Sequence, residues 1–163
     1  MGSFSENRHA PTVVHDAMPA KVQKKVKIAS WSARLAVAIV FVGNIQCALY
    51  FLLFPENYAP SFELSGVAGI AAIQGLAVAF LMWNATYPLV FINPSRHRTL
   101  FAIVLVQQAI GLLGESLILS GVGPDHALLR ESITRFIVFD AAGLVIMGAT
   151  FAALILCLKR SSR

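Results

Sequence analysis

Residues 136–158 read FIVFDAAGLVIMGATFAALILCL, an apolar run that carries one formally charged side chain, Asp140, and is followed by Lys159 and Arg160. At about 1.5 Å of rise per residue, such a run forms a helix long enough to cross the roughly 30 Å hydrocarbon core of a bilayer. Three further runs match it, at about 32–54, 67–90 and 100–119, the first ending at Pro55. In a chain of 163 residues that is 57% hydrophobic and 13% charged, with a mean hydropathy of +0.72, four such helices would leave a soluble domain almost no polar surface. The expected fold is all-α, a polytopic four-helix membrane bundle forming one domain over residues 31–160.

Lysine and arginine near the span ends set the orientation. Lys21, Lys24, Lys25, Lys27, Arg34, Arg96, Arg98, Lys159, Arg160 and Arg163 fall on one side, and only Arg130 and Arg135 on the other. Ten against two places both termini and the Asn93 to Arg98 turn in the cytoplasm, with the protein in the cell (cytoplasmic) membrane. The same count accounts for the net charge of +5 and the pI of about 9.6. Nucleic acid is not an expected partner, because no basic surface alternates with aromatic side chains as stacking on bases requires.

Residues 1–30 mix Ser, Pro, His and charge without a sustained period and are expected to form a mostly disordered cytoplasmic tail. The apolar run after the tail is too long, and lacks the small-residue site, for a cleavable signal. Toward the end of the tail, Lys21, Lys24, Lys25 and Lys27 alternate with Val22, Val26 and Ala29 at helical spacing. This pattern fits a short interfacial helix on anionic lipid headgroups, at about 1 kcal/mol per lysine; a positive flank that only fixes orientation is the simpler alternative. On the far side, Phe62-Glu63-Leu64 is expected to dip into the interface, and Asp125 to cap a short helix running into the fourth span.

Polar residues inside hydrocarbon are costly, so their positions carry the functional signal. Glu115 and Asp140 each lie about four residues from the outer ends of their spans, roughly 6 Å below the boundary. Gln74, Asn44 and Gln46 fall roughly 10 to 15 Å below it. Gln108, Gly111 and Glu115 share one helical face, as do Ser132, Phe136, Asp140, Gly143 and Met147, and glycines on such faces let helices approach. These residues predict a polar pocket near the outer face, lined by Glu115, Asp140, Gln74, Gln108 and either Asn44 or Gln46, with Arg135 above it as counter-charge. Two carboxylates close together in a partly dry site suit proton exchange or a cationic or hydrogen-bonding ligand. The competing structural reading is an Arg135 bridge to one acid, with the amides closing a packing network.

At the inner end of the second span, Asn84 continues the stripe of Gln74, Ala77 and Leu81, while Trp83 and Tyr87 have the composition of interfacial belt residues. His9, His15, His97 and His126 all lie outside the spans, so paired histidine ligation within the bundle is excluded. Cys47 and Cys157 fall at opposite depths, too far apart to bridge. No phosphate loop and no nucleophile with a base at recognisable spacing is present, so no catalytic residue, metal or cofactor is expected from the motifs.

Arg34, Gly43 and Pro55, followed by Gln74-Gly75-Leu76 and the Arg96 to Arg98 turn, resemble the pattern of DoxX-like small membrane proteins over the first two spans. Gln74 departs from the acid that family commonly places near the start of its second helix. The resemblance implies four helices and a redox or stress accessory role, with a quinone as the implied cofactor. The sequence therefore leads to a small membrane binding or accessory protein, acting alone, as a homo-oligomer or in a larger membrane complex. A proton-coupled transporter and a quinone-linked oxidoreductase subunit are the alternatives.

Overall fold

The computed structural model describes residues 20–161, all of whose regular structure is helical. Helix α1 spans Ala20–Leu53, α2 Gly66–Asn84, α3 Tyr87–Ile92, α4 Arg98–Gly121 and α5 Ala127–Ser161, and two 3-10 turns, Pro55–Asn57 and Ala59–Phe62, join α1 to α2. With α2 and α3 taken as one pass, four segments are long and apolar enough to cross a membrane: 20–53, 66–92, 98–121 and 127–160. Most of the expected disordered tail, residues 1–19, and the basic residue Arg163 lie outside the described residues.

The first and last helices are longer than the apolar runs within them. Between Ala20 and Phe54 there is no proline and only one glycine, so nothing stops the helix at the interface. Lys21, Lys24, Lys25 and Lys27 therefore sit on the opening turns of α1 itself rather than on a separate interfacial helix. Its 34 residues make roughly 50 Å, about 20 Å more than the hydrocarbon core. Helix α5 likewise starts at Ala127, well before the apolar run at Phe136. Its first helical bond runs from the Arg130 N–H to the His126 carbonyl at 2.9 Å. His126, not Asp125, is thus the cap residue.

The second pass is broken. Pro88 has no N–H to offer the carbonyl of Asn84 and crowds it sterically, so α2 ends there. The Ala85 N–H tightens onto the Met82 carbonyl at 3.3 Å, and the Thr86 hydroxyl donates to the Trp83 carbonyl at 3.4 Å, which satisfies two of the freed acceptors. Beyond the break, α3 packs between α1 and α4, whereas α2 packs mainly on α1, and α5 packs on both α1 and α4. The bundle is consequently closed by α3 at the end carrying the 93–97 turn (the turn end). At the end carrying the 54–65 and 122–126 connections (the loop end), α2 and α4 do not pack closely against each other.

Two apolar clusters follow this division. Toward the turn end, Ala33, Ala36, Val37 and Val40 of α1 pack with Val90, Phe101, Val104, Met147 and Leu154. Toward the loop end the cluster is aromatic. Phe51 packs against Tyr58 (4.8 Å between ring centroids), Phe62 (5.8 Å) and Phe136 (6.1 Å), and Phe80 also meets Phe136 at 5.7 Å. Phe62 thus turns into the bundle rather than into the interface, because the 3-10 turn at 59–62 carries it over the end of α1.

Candidate functional site

Gln108, in the middle of α4 and 2% exposed, organises the polar interior. Its side-chain oxygen accepts a hydrogen bond from the Tyr87 hydroxyl at 3.1 Å, and its Nε2 donates to Asp140 Oδ1 at 2.7 Å. Across the bundle, Asn44 Nδ2 donates to Asn84 Oδ1 at 3.1 Å, and Asn84 Nδ2 donates to the Phe80 carbonyl at 2.8 Å. Between these two bonded groups lies a cavity of about 50 Å³, completed by Trp83, Gly111, Glu115 and Phe136. That is room for a few waters at roughly 10–15 Å³ each.

Glycine makes the close approach of α4 and α5 possible. A Cβ on Gly111 would collide with Asp140 Oδ2, and one on Gly143 would lie 3.0 Å from Gln108 Nε2 and 3.2 Å from Val40. Because Gln108 and Gly111 both face Asp140, Glu115 lies one to two turns nearer the loop end, roughly 6–10 Å along the antiparallel pair. The two acids therefore do not share a depth at the backbone. The expectation that they do counts from the apolar run at Phe136 rather than from the true start of α5. Their side chains nevertheless converge on the one cavity, since helical side chains lean toward their own N-termini and these helices run in opposite directions. Among the described residues no Lys, Arg or His lines it, and Glu115 Oε2 is buried without a hydrogen-bond partner.

Of the residues expected to form the site, the structure brings together Glu115, Asp140, Gln108 and Asn44. Gln74 instead donates to the Leu52 carbonyl at 3.3 Å, tying α2 to the last turn of α1. Gln46 is exposed, on the rim of a surface depression with Tyr50 and Tyr58. Arg135 is exposed and pairs with Glu131 of its own helix at 3.1 Å, so it bridges neither acid. The belt roles expected for Trp83 and Tyr87 also fail. Trp83 lines the cavity, and Tyr87 is fully buried, 6.1 Å from Phe41 in a stacked pair. Tyr87, three residues beyond Asn84, falls on the face that Ile73, Ala77 and Asn84 bury; the spacing holds that signal, and the belt reading rests on residue type alone.

A second, larger cavity of about 260 Å³ adjoins the first, sharing Asn44 and Phe136 as common walls. Its lining is mainly aromatic, with Phe51, Tyr58, Phe62 and Phe139; Cys47 and Ser132 also reach it, and Arg135, the expected counter-charge, stands at this cavity rather than at the acids. The 3-10 turn over this cavity is fastened to α5 at two points. Ser132 Oγ donates to the Ser61 carbonyl at 2.8 Å, and His126 Nδ1 lies 2.5 Å from Glu63 Oε2. Glu63 holds a left-handed backbone, φ 56°, that aims its carboxylate there.

Lys21, Lys24, Lys25 and Lys27 are all exposed along α1. Cys47 and Cys157 are both free, and among the described residues no three His, Cys, Asp or Glu side chains cluster as metal ligands. No family model, no curated protein and no solved structure matches the chain.

Proposed function

We propose that the chain is an integral protein of the cell membrane, with both termini cytoplasmic, that binds a small amphipathic ligand inside its bundle. The ten-to-two distribution of basic residues supports this orientation, and in it the loop end faces outward. The ligand class is an apolar ring or short chain bearing an ammonium or other hydrogen-bond-donating head. The protein acts as a binding or accessory component, as a homo-oligomer or within a larger membrane complex.

One observation carries this reading: Glu115 and Asp140 converge on a small cavity that no basic side chain among the described residues lines, Arg135 reaching only the adjoining one, and Glu115 Oε2 has no partner among them. Carboxylates taken out of water are costly unless positive charge or donors meet them. Gln108 supplies one donor to Asp140. An ammonium head supplies the rest, and the aromatic cavity beyond Phe136 provides both an apolar seat and ring faces that attract a cation.

Titration of the purified protein in nanodiscs with 2-phenylethylamine, against uncharged propylbenzene as control, tests this. Saturable binding of the amine is expected, weakened at least about tenfold in Glu115→Gln and in Asp140→Asn, the scale of one lost charge-assisted bond. Unchanged affinity in both variants, or equal binding of the uncharged control, overturns the proposal.

A proton-coupled carrier is the second reading, favoured by the hydrogen-bonded line from Asp140 through Gln108 to Tyr87, which leads from the cavity toward the turn end. Amine uptake into proteoliposomes driven by a pH gradient would establish it, and binding without flux would leave the first reading standing. An oxidised quinone offers only acceptor oxygens and would meet a donor at these acids only where one is protonated, so it ranks behind the amine. Quinone-dependent turnover by the purified protein would reverse that ranking.

A further inference from the structure

At the turn end, every charged side chain among the described residues is basic, and all the described acids, from Glu56 to Asp140, lie in the other half of the bundle. Within this field an open groove of about 460 Å³ lies between the first half of α1 and the 93–97 turn. Gln23, Lys27, Ser30, Trp31 and Arg34 line one wall, and Ser95 faces them. Lysine and arginine only donate, and the serine hydroxyls and the glutamine amide can do so too. Among the described residues the groove is therefore rich in donors and free of acids.

Arg34 is its centre. The guanidinium lies over the Trp31 ring, 5.1 Å from the centroid, a stacking that fixes the plane of the fork. Arg34 Nε is buried and has no hydrogen-bond partner. Two ion pairs between described residues, His126 with Glu63 and Arg135 with Glu131, are at the other end. A buried guanidinium donor without an acceptor is costly, and an anion with several oxygens removes that cost. Planar fork, ammonium and hydroxyls together match a phosphate.

The surface beside the groove indicates where that phosphate comes from. Ile28, Trp31, Leu35 and Ile39 follow one another at helical spacing along α1, and all four are exposed, Trp31 by 60%. An apolar stripe thus leads away from the donor groove along the flank of the bundle. We infer that the groove is a binding site for the phosphate of an anionic phospholipid whose acyl chains lie along this stripe. The inference rests on the chain residing in a bilayer, but not on the ligand proposed for the interior cavity.

Trp31 and Trp83 are the two tryptophans of the chain, so the Trp83→Phe protein reports from the groove alone. In phosphatidylcholine nanodiscs, phosphatidylglycerol with brominated acyl chains is expected to quench Trp31 emission saturably, at mole fractions where brominated phosphatidylcholine does not. Arg34→Gln should weaken this preference about tenfold or more, in keeping with a lost charge-assisted bond, and Arg34→Lys should weaken it less. Lys24→Gln and Lys25→Gln, which lie outside the groove, should each change it less than about twofold, as exposed charges do. If Arg34→Gln fails to fold, Lys27→Gln and Ser95→Ala carry the test, each expected to weaken the preference by about threefold, a fraction of one bond. Equal quenching by the two lipids overturns the inference, as does an effect of Lys24→Gln equal to that of the groove variants, which would reduce the groove to a diffuse basic surface. Reversal of the quenching by inorganic phosphate at matched concentration overturns the assignment to a lipid.

Discussion

The two ends of this bundle are made from the same four passes but packed on different terms. Toward the turn end, Ala29, Ala33 and Ala36 give α1 a flat face, and α3, α4 and α5 close on it through Val90, Phe101, Met147 and Leu154. Toward the loop end, Phe51, Phe80 and Phe136 stand between the helices, α2 does not pack closely on α4, and two adjoining cavities remain. In lipid, helices gain little from burying apolar surface against one another, so close packing of small residues is what holds them. The loop end buries Ala48, Ala59 and Ala77 as well, so what leaves it hollow is the rings standing between helices that do not close on one another, not a lack of small residues.

Removing a ring from each end tests this contrast. Phe101, fully buried against Phe151 at 4.9 Å, should cost about 3–5 kcal/mol as Phe101→Ala, the range for a ring lost from a packed core. Phe136→Ala should cost less than half as much, because its ring already borders both cavities and removing it merges them. Unfolding in mixed micelles measures both, and equal costs would break the comparison. Next in size is Gly143→Leu, which forces a side chain against Gln108 and Val40 and should cost about 1–3 kcal/mol by overpacking.

Gln108→Leu should destabilise by about 1–3 kcal/mol, since it leaves the Tyr87 hydroxyl and Asp140 without their partner. Asp140→Asn keeps an acceptor for Gln108 and should shift unfolding by less than about 1 kcal/mol, while still weakening amine binding. A large stability loss there with unchanged binding would make the polar interior a packing device rather than a site. The smallest effect is expected at the fastening of the loop. His126→Ala removes a pair exposed to solvent and should cost about 0–1 kcal/mol, sharpening the view that Ser132 and the aromatic contacts hold the 59–62 turn in place.

Much of the interior was legible along single helices. The faces of α4 and α5 follow from spacing alone, and they do bring Gln108, Gly111 and Glu115 against Asp140 and Gly143. Errors arise where a nearer partner on the same helix is passed over, or where the partner depends on another element. Arg135 is one turn from Glu131 and takes that local partner instead of a deeper one. Gln74 reaches a carbonyl of α1 that only the loop at 54–65 brings near. For Trp83 and Tyr87 the error lies in reading residue type alone, since Tyr87 shares the buried face of Asn84.

By itself the sequence determined that the chain is helical, that four passes are long and apolar enough for a bilayer, and which residues share a face of each helix. Length, hydropathy and a 3.6-residue period are properties of one segment at a time, so they need no partner to be read. Only the tertiary structure decided that the segment after the Pro88 break packs between α1 and α4, that Glu115 and Asp140 meet without a counter-charge, and that Arg34 faces an open groove. Each of these depends on the angle and register at which separate helices pack, and those are fixed by glycine contacts, ring stacking and hydrogen bonds between distant positions.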